Sequence, residues 1–228
     1  MFGLGGPKRP RAVAFDIIGT TFPLEPLRPR IMALGLPPAG LEGWFAAGLR
    51  DTFALALTGG FEPFAIVLEA TLDGLLAEQG LNASTADKKA LIEGLQELAP
   101  RAGAAEALSM LADAGVTVLA LTNGSRASTQ KLLDRAAFAA PPRHIVSVDD
   151  VKRSKPAADV YLHAAEVAGV EPGELALVAA HAWDIQGGHA AGLTTAYVSA
   201  DRPFTSVMHK PDVEAATLPE CAAALLAL

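Results

Sequence analysis

Residues 11–20 read Arg-Ala-Val-Ala-Phe-Asp-Ile-Ile-Gly-Thr, and this stretch decides the fold. The run over 11–15 is short, β-compatible and ends on Asp16; Gly19 then breaks it. That pattern predicts a buried strand followed by a turn. What comes next is of another kind, for no convincing strand occurs from Leu24 to Ala99. Leu27, Ile31 and Leu34 recur at helical spacing. Trp44, Phe45, Leu49, Phe53 and Leu57 do so again and stop at Gly59-Gly60. A third helix is expected over 64–79, with Val67, Leu68, Leu72, Leu75 and Leu76 on its apolar face. A fourth is expected over 85–98, capped by Ser84 or Thr85.

After Pro100 the rhythm alternates. Helices are expected over 104–114, 125–137, 157–168, 183–191 and 218–226, and strands over 116–121, 144–148, 175–180 and 194–198. Alternation at this spacing predicts a parallel sheet with helices on both faces. The expected fold class is therefore α/β: a Rossmann-like core over 1–22 and 100–228, interrupted by an all-helical subdomain over 23–99.

Composition agrees with that size of object. The chain has 228 residues, 51% hydrophobic and 19% charged, which excludes a disordered chain. Mean hydropathy is +0.31, yet the longest unbroken apolar runs fall far short of the ~20 residues that span a bilayer. Two cores with an apolar cleft between them would account for the surplus. Net charge is −7, with a single short basic cluster at Lys8, Arg9 and Arg11, so a nucleic-acid partner is not expected. The one cysteine, Cys221, excludes an intrachain disulfide and reads as a buried structural thiol. No apolar signal segment follows the basic cluster, so the expected compartment is the cytoplasm. Gly3–Gly6 reads as a leader, since no strand precedes it as a phosphate loop requires. A homodimer would cover apolar surplus, but no interface is identifiable.

In parallel sheets ligands bind at the carboxyl ends of the strands. There stand Asp16 with Gly19-Thr20, then Thr122-Asn123-Gly124-Ser125, a Lys155-Pro156 pair, and His181-Ala182-Trp183-Asp184. A strand-ending aspartate before Gly-Thr, taken alone, reads first as an Asx-turn residue. Lys155 alone reads as a lysine at a helix start, with Pro156 as the first helical residue. Gathered at one sheet edge, however, the set offers a carboxylate nucleophile, hydroxyl and amide donors, an ammonium and an imidazole. His181 could take a proton from an attacking water or merely bond a backbone carbonyl. His144, His163, His189 and His209 read as surface or helix-capping residues without ligand spacing. Trp44, Phe45, Phe53, Phe61 and Phe64 read as packing and cleft wall.

This ordered set resembles the haloacid dehalogenase superfamily over residues 12–226, and most resembles its 2-haloacid dehalogenase branch. Ala14-Phe-Asp-Ile-Ile-Gly-Thr resembles the first motif, Leu121-Thr-Asn-Gly-Ser the second, Lys155-Pro-Ala-Ala-Asp-Val-Tyr161 the third and Ala182-Trp-Asp184 the end of the fourth. The helical insert stands where that family carries a cap. The resemblance implies a hydrolase acting on a small acidic substrate. Asp16 would be the nucleophile and Lys155 would keep it ionised. Thr20 would orient its loop, and Thr122 and Asn123 would bind the substrate's acid group. Tyr161 would steady Lys155, and Asp184 would place the hydrolytic water.

Departures narrow the chemistry. Family phosphatases carry a second aspartate two residues after the nucleophile; here that residue is Ile18. The first acid of their fourth motif falls on Ala180, which would leave only Asp16 and Asp184 for Mg²⁺. These two changes argue against an Mg²⁺-dependent phosphatase, the alternative enzyme, and permit C–halogen hydrolysis, for which the resemblance implies no cofactor. The dehalogenases' tyrosine also falls on Ile18, their cap arginine on Phe45 with Arg50 nearby, and their fourth-motif serine and asparagine on Ala179 and His181. A non-catalytic binding module on the same fold is the third expectation, favoured by Ile18, Phe45 and Ala179.

Overall fold

The computed structural model describes residues 6–200 and 202–228. Residues 3–5 of the expected leader lie outside the described residues. The first strand is β1 (Ala12–Asp16), buried along its whole length. Five further strands follow among the described residues: β2 (Thr117–Thr122), β3 (His144–Ser147), β4 (Leu175–Ala179), β5 (Thr194–Val198) and β6 (Val213–Ala215). They form one sheet in the order β3-β2-β1-β4-β5-β6, and every pairing is parallel. The order reverses around β1, which leaves a crevice at its carboxyl end. Asp16, the last residue of β1, stands there in register with Leu121 of β2.

Between β1 and β2 the chain is helical. It runs through α1 (Arg28–Ala33), α2 (Gly40–Leu57), α3 (Phe64–Glu78), α4 (Thr85–Gly94) and α5 (Ala104–Asp113). Ser84 caps α4 by accepting the Asp87 N–H, which settles the choice between Ser84 and Thr85. Trp44 of α2 donates its indole N–H to the Leu68 carbonyl of α3 at 2.8 Å. Gly48 lets the two helices close: a Cβ there would stand 2.5 Å from Leu68 Cδ2. After β2 come α6 (Arg126–Ala136), α7 (Val148–Val151), α8 (Ala158–Ala168), α9 (Ala182–Ala190) and α10 (Leu218–Leu226).

The described residues form two apolar clusters, which divide by sheet face and not by subdomain. Val13 and Phe15 of β1 belong to the cluster that takes in α5 and α10. Ala12 and Ala14 point the other way, toward α8 and α9. Through Ile17 and Phe22 the first cluster continues into the helical layer and reaches Trp44, Leu68 and Leu91. The alternation of side chains along β1 makes the boundary.

Other differences from the sequence reading are local. β6 and α7 escape it, because segments of three and four residues are too short for periodicity to show. α4 stops at Gly94, four residues before the expected Leu98. Helix α8 begins at Ala158, so Pro156 is not the first helical residue. Among the described residues no helix is long and apolar enough to cross a membrane.

Candidate active site

Asp16 is 4% exposed, and three side chains converge on it. The Lys155 ammonium lies 2.8 Å from Oδ1. The Thr20 hydroxyl donates to Oδ2 at 2.5 Å, and His181 Nδ1 lies 3.3 Å from the same oxygen. Thr20 in turn accepts the Ala180 N–H at 2.9 Å, so the loop after β4 locks the loop after β1. That Thr20 bond gives Ala180 a structural role through its backbone alone.

Lys155 is fully buried. Its ammonium also meets Asp184 Oδ2 at 2.6 Å, and its backbone N–H donates to Asn123 Oδ1 at 3.0 Å. Two carboxylates and an amide therefore fix it, in place of the helix start that the Lys155-Pro156 pair suggests. Tyr161 donates its hydroxyl to Asp184 Oδ1 at 2.6 Å. The expected Tyr161 contact with Lys155 is thus made through Asp184. Thr122 is buried and accepts the Gly124 N–H at 2.9 Å, which folds the loop after β2 back on itself.

The electrostatics follow from this geometry. Burial alone would push the Asp16 carboxyl up; the Lys155 ammonium, and after it His181, outweigh burial and hold it well below the usual range. Burial would lower Lys155, but Asp16 and Asp184 raise it above an ordinary lysine. Burial raises Asp184, and the second carboxylate adds to the rise against the opposing pull of Lys155. Tyr161 is pushed well up by burial and then by Asp184, so its hydroxyl stays a donor.

His181 stands directly before α9 and is 8% exposed. Its ring stacks on Trp183 at 5.4 Å and 26° and lies 6.2 Å from Phe45 of α2. Gly19, at φ +88°, makes room for it: a Cβ there would stand 2.6 Å from His181 Cε1. Trp183 also packs on Phe53 at 5.1 Å, and the Lys155 ammonium stands 5.7 Å from its ring centre.

A cleft of about 620 Å³ opens beside Gly19, Ala180, His181 and Trp183. Its helical wall includes Leu41, Phe45, Ala46 and Leu49 of α2, with Glu42 beside them. Arg50 does not reach this cleft. Its side chain is 73% exposed and pairs with its neighbour Asp51 at 2.7 Å. On α2 it stands one residue past Leu49, which turns it about 100° away from the wall. Ile18 is half-buried, packs against the apolar cluster and bridges to Phe22, and it is not among the cleft residues. Sequence reasoning misses two cleft arginines, Arg101 and Arg202. Both lie in connections without periodicity, so no local signal marks them.

A divalent cation between Asp16 and Asp184 does not fit this donor set. Each of the four carboxylate oxygens already faces a donor of the chain, and the Lys155 ammonium occupies the bridging position. Among the described residues no three or more His, Cys, Asp or Glu side chains group as a metal site.

The chain has known relatives. The sequence profile of haloacid dehalogenase-like hydrolases matches residues 10–192. An (S)-2-haloacid dehalogenase of Pseudomonas sp. (strain YL) is 26% identical over 212 residues, 91% of each chain. An (S)-2-haloacid dehalogenase 1 of Pseudomonas sp. (strain CBS-3) is 30% identical over 156 residues, 68% of this chain and 69% of that one. Among solved structures, L-2-haloacid dehalogenase from Xanthobacter autotrophicus with chloropropionic acid covalently bound superposes with a TM-score of 0.85 at 22% identity, covering 93% of this chain and 97% of that one. With the profile spanning β1 through α9, the strands and loops that build the site are the matched ones, and the chain belongs to the haloacid dehalogenase-like hydrolases.

Proposed function

We propose that the chain is a 2-haloacid dehalogenase-type hydrolase in which Asp16 is the nucleophile. The observation that carries this reading is the setting of Asp16: buried, with its carboxylate held by Lys155, Thr20 and His181 at the switch point of the sheet. An Asp16 carboxylate oxygen attacks C2 of a small 2-halo acid. The C–halogen bond breaks, halide leaves with the bonding pair, and an aspartyl ester remains. A halide needs no proton, which suits a site where Ile18 stands in place of a general acid.

Water then attacks the Asp16 carbonyl carbon and gives a proton to His181. The acyl C–O bond breaks, the 2-hydroxy acid leaves and takes that proton back, and the carboxylate reforms. Its second proton goes to solvent, and solvent oxygen enters Asp16. Lys155 balances the charge on Asp16 and Asp184 throughout, while Thr122 and Asn123 bind the substrate's acid group. We place residues 23–99 as a cap over the strand ends, with Phe45 as a wall against water. The reaction so written uses no cofactor.

The test is halide release from 2-chloropropionate by the wild type and by Asp16→Asn, with and without EDTA, together with mass analysis after turnover in H₂¹⁸O. Release that needs Asp16, ignores EDTA and labels Asp16 supports the reading. Activity on an aryl phosphate that EDTA abolishes, with no halide release, refutes it.

A further inference from the structure

Arg101 stands near the end of the connection that leads from α4 to α5. Its backbone N–H donates to the Thr21 carbonyl at 2.8 Å. Its side chain reaches the same loop, with Nε donating to the Thr20 carbonyl at 2.8 Å and Nη2 to the Gly19 carbonyl at 3.2 Å. One edge of a planar guanidinium thus spans two successive carbonyls, a geometry a lysine ammonium does not reproduce. Some 80 residues separate Arg101 from this turn, so the contact joins the outgoing and returning crossings of the chain.

The turn it grips sets the nucleophile. Thr20 donates to Asp16 Oδ2 at 2.5 Å. Thr21 donates twice to the Asp16 carbonyl, from its hydroxyl at 2.7 Å and its N–H at 3.2 Å. Gly19 sits at φ +88°, a turn that glycine takes without strain, and its N–H is tied to the Phe22 carbonyl at 2.8 Å. Arg101 also lines the cleft, on the side of Gly19 and His181.

We propose that Arg101 is a positioning residue for Asp16. It holds the Gly19–Thr20 turn so that the Thr20 hydroxyl keeps Asp16 aimed, and it ties that aim to the base of the helical layer. The inference rests on Asp16 being the nucleophile. Arg101 acts through the turn and not on the substrate, so its loss slows the attack step and spares binding. A misplacement of about 1 Å can cost roughly 10²-fold in rate.

The experiment uses the full chain with Arg101→Ala and Arg101→Lys. Halide release from 2-chloropropionate gives kcat and KM, and intact mass gives single-turnover esterification of Asp16. Each is measured with and without added guanidinium at millimolar concentration, and melting is followed alongside. We expect Arg101→Ala to lose roughly 10- to 100-fold in kcat and in esterification, with KM within about threefold. Guanidinium, which reaches the vacated place from the cleft, restores part of that rate, and Arg101→Lys falls between. A raised KM with unchanged kcat makes Arg101 a substrate-anion ligand and overturns the proposal. A rate loss that guanidinium leaves unmoved and that follows the melting temperature makes it a tether only, and also overturns it. If the wild type releases halide and Arg101→Ala matches it, this inference alone fails. If the wild type releases none, the reading of the whole site fails and takes this one with it.

Discussion

The two walls of the cleft are built in opposite ways. On the sheet side His181 lines the cleft, and behind it Asp16, Thr20, Lys155, Tyr161 and Asp184 join it in one buried network in which each group is held by another. On the helical side, Leu41, Phe45, Ala46 and Leu49 give the cleft an apolar face, and the charged residues beside them are Glu25 and Glu42. The helical layer's charges at that rim satisfy one another: Arg28 bonds both Glu25 and Glu42. On the proposed reading, the sheet side supplies the reacting groups on rigid strand ends, and the helical side supplies a mostly apolar cover. Such a cover excludes water, and charge interactions strengthen where water is excluded. The aspartate is then kept ionised by its neighbours and poorly solvated, the condition a carboxylate needs to displace halide.

The comparison breaks most completely at Asp16, the proposed nucleophile. Asp16→Asn keeps the shape and removes the attacking charge, so halide release should fall on the order of 10⁴-fold or more. Halide release and the mass of the trapped protein check this; a variant that still forms ester would move the nucleophile elsewhere. Lys155→Met should strike stability as well as rate. It leaves two buried carboxylates without their shared counter-charge, and breaking a buried pair in this way costs about 3–5 kcal/mol. Denaturant unfolding at neutral pH measures it, and an unchanged midpoint would show that Asp16 and Asp184 do not depend on Lys155.

The same contrast explains what can be read from sequence. The sheet wall is legible because parallel strands put their ends at one edge, whatever the distance along the chain. Asp16, Thr20 and His181 stand at such an end or in the loop beside it, Asp184 in the first turn of α9 and Lys155 in the connection from α7 to α8, and they meet. The helical wall is legible only as helices. Periodicity tells which face of α2 is apolar but not which neighbour that face meets, so sequence draws Arg50 toward the site while the structure turns it away. Arg101 escapes notice for a related reason: its partners are two backbone carbonyls, which leave no mark in a side-chain pattern.

Smaller effects sharpen the division of labour within the sheet wall. His181→Gln should let esterification proceed and slow its hydrolysis by about 10²-fold, the range for losing a general base. The ester should then accumulate and be visible as added mass on the peptide that contains Asp16. Equal slowing of both half-reactions would instead make His181 a support for Asp16, through their 3.3 Å contact.

Acid pH tests the electrostatics without a mutation. Lys155 and His181 overcome burial and lower the Asp16 carboxyl below its ordinary value, so the group stays ionised where a free aspartate, at about 3.9, is half protonated. The sign follows. With a folded value below the unfolded one, the charge and the stability it confers are present above the unfolded value and are lost only as pH falls through the folded one. Single-turnover esterification at pH about 4 should therefore keep most of its neutral-pH rate. A fall by half or more, with the fold intact by circular dichroism, would show an ordinary carboxylate.

The smallest expected effect lies on the far side of α2. Arg50→Ala removes a side chain that is 73% exposed and whose partner is its own sequence neighbour Asp51. An exposed pair of this kind is screened by solvent, so the unfolding midpoint should not move measurably. Since Arg50 points away from the wall that Leu41, Phe45 and Leu49 form, KM for 2-chloropropionate should stay within about twofold. The measurement matters more than its size suggests. A large rise in KM would mean that α2 turns Arg50 toward the substrate when the cleft closes, and the helical wall would then offer it a positive charge. An unchanged KM leaves the capture of an acidic substrate to the sheet side, where Lys155, Thr122 and Asn123 already stand.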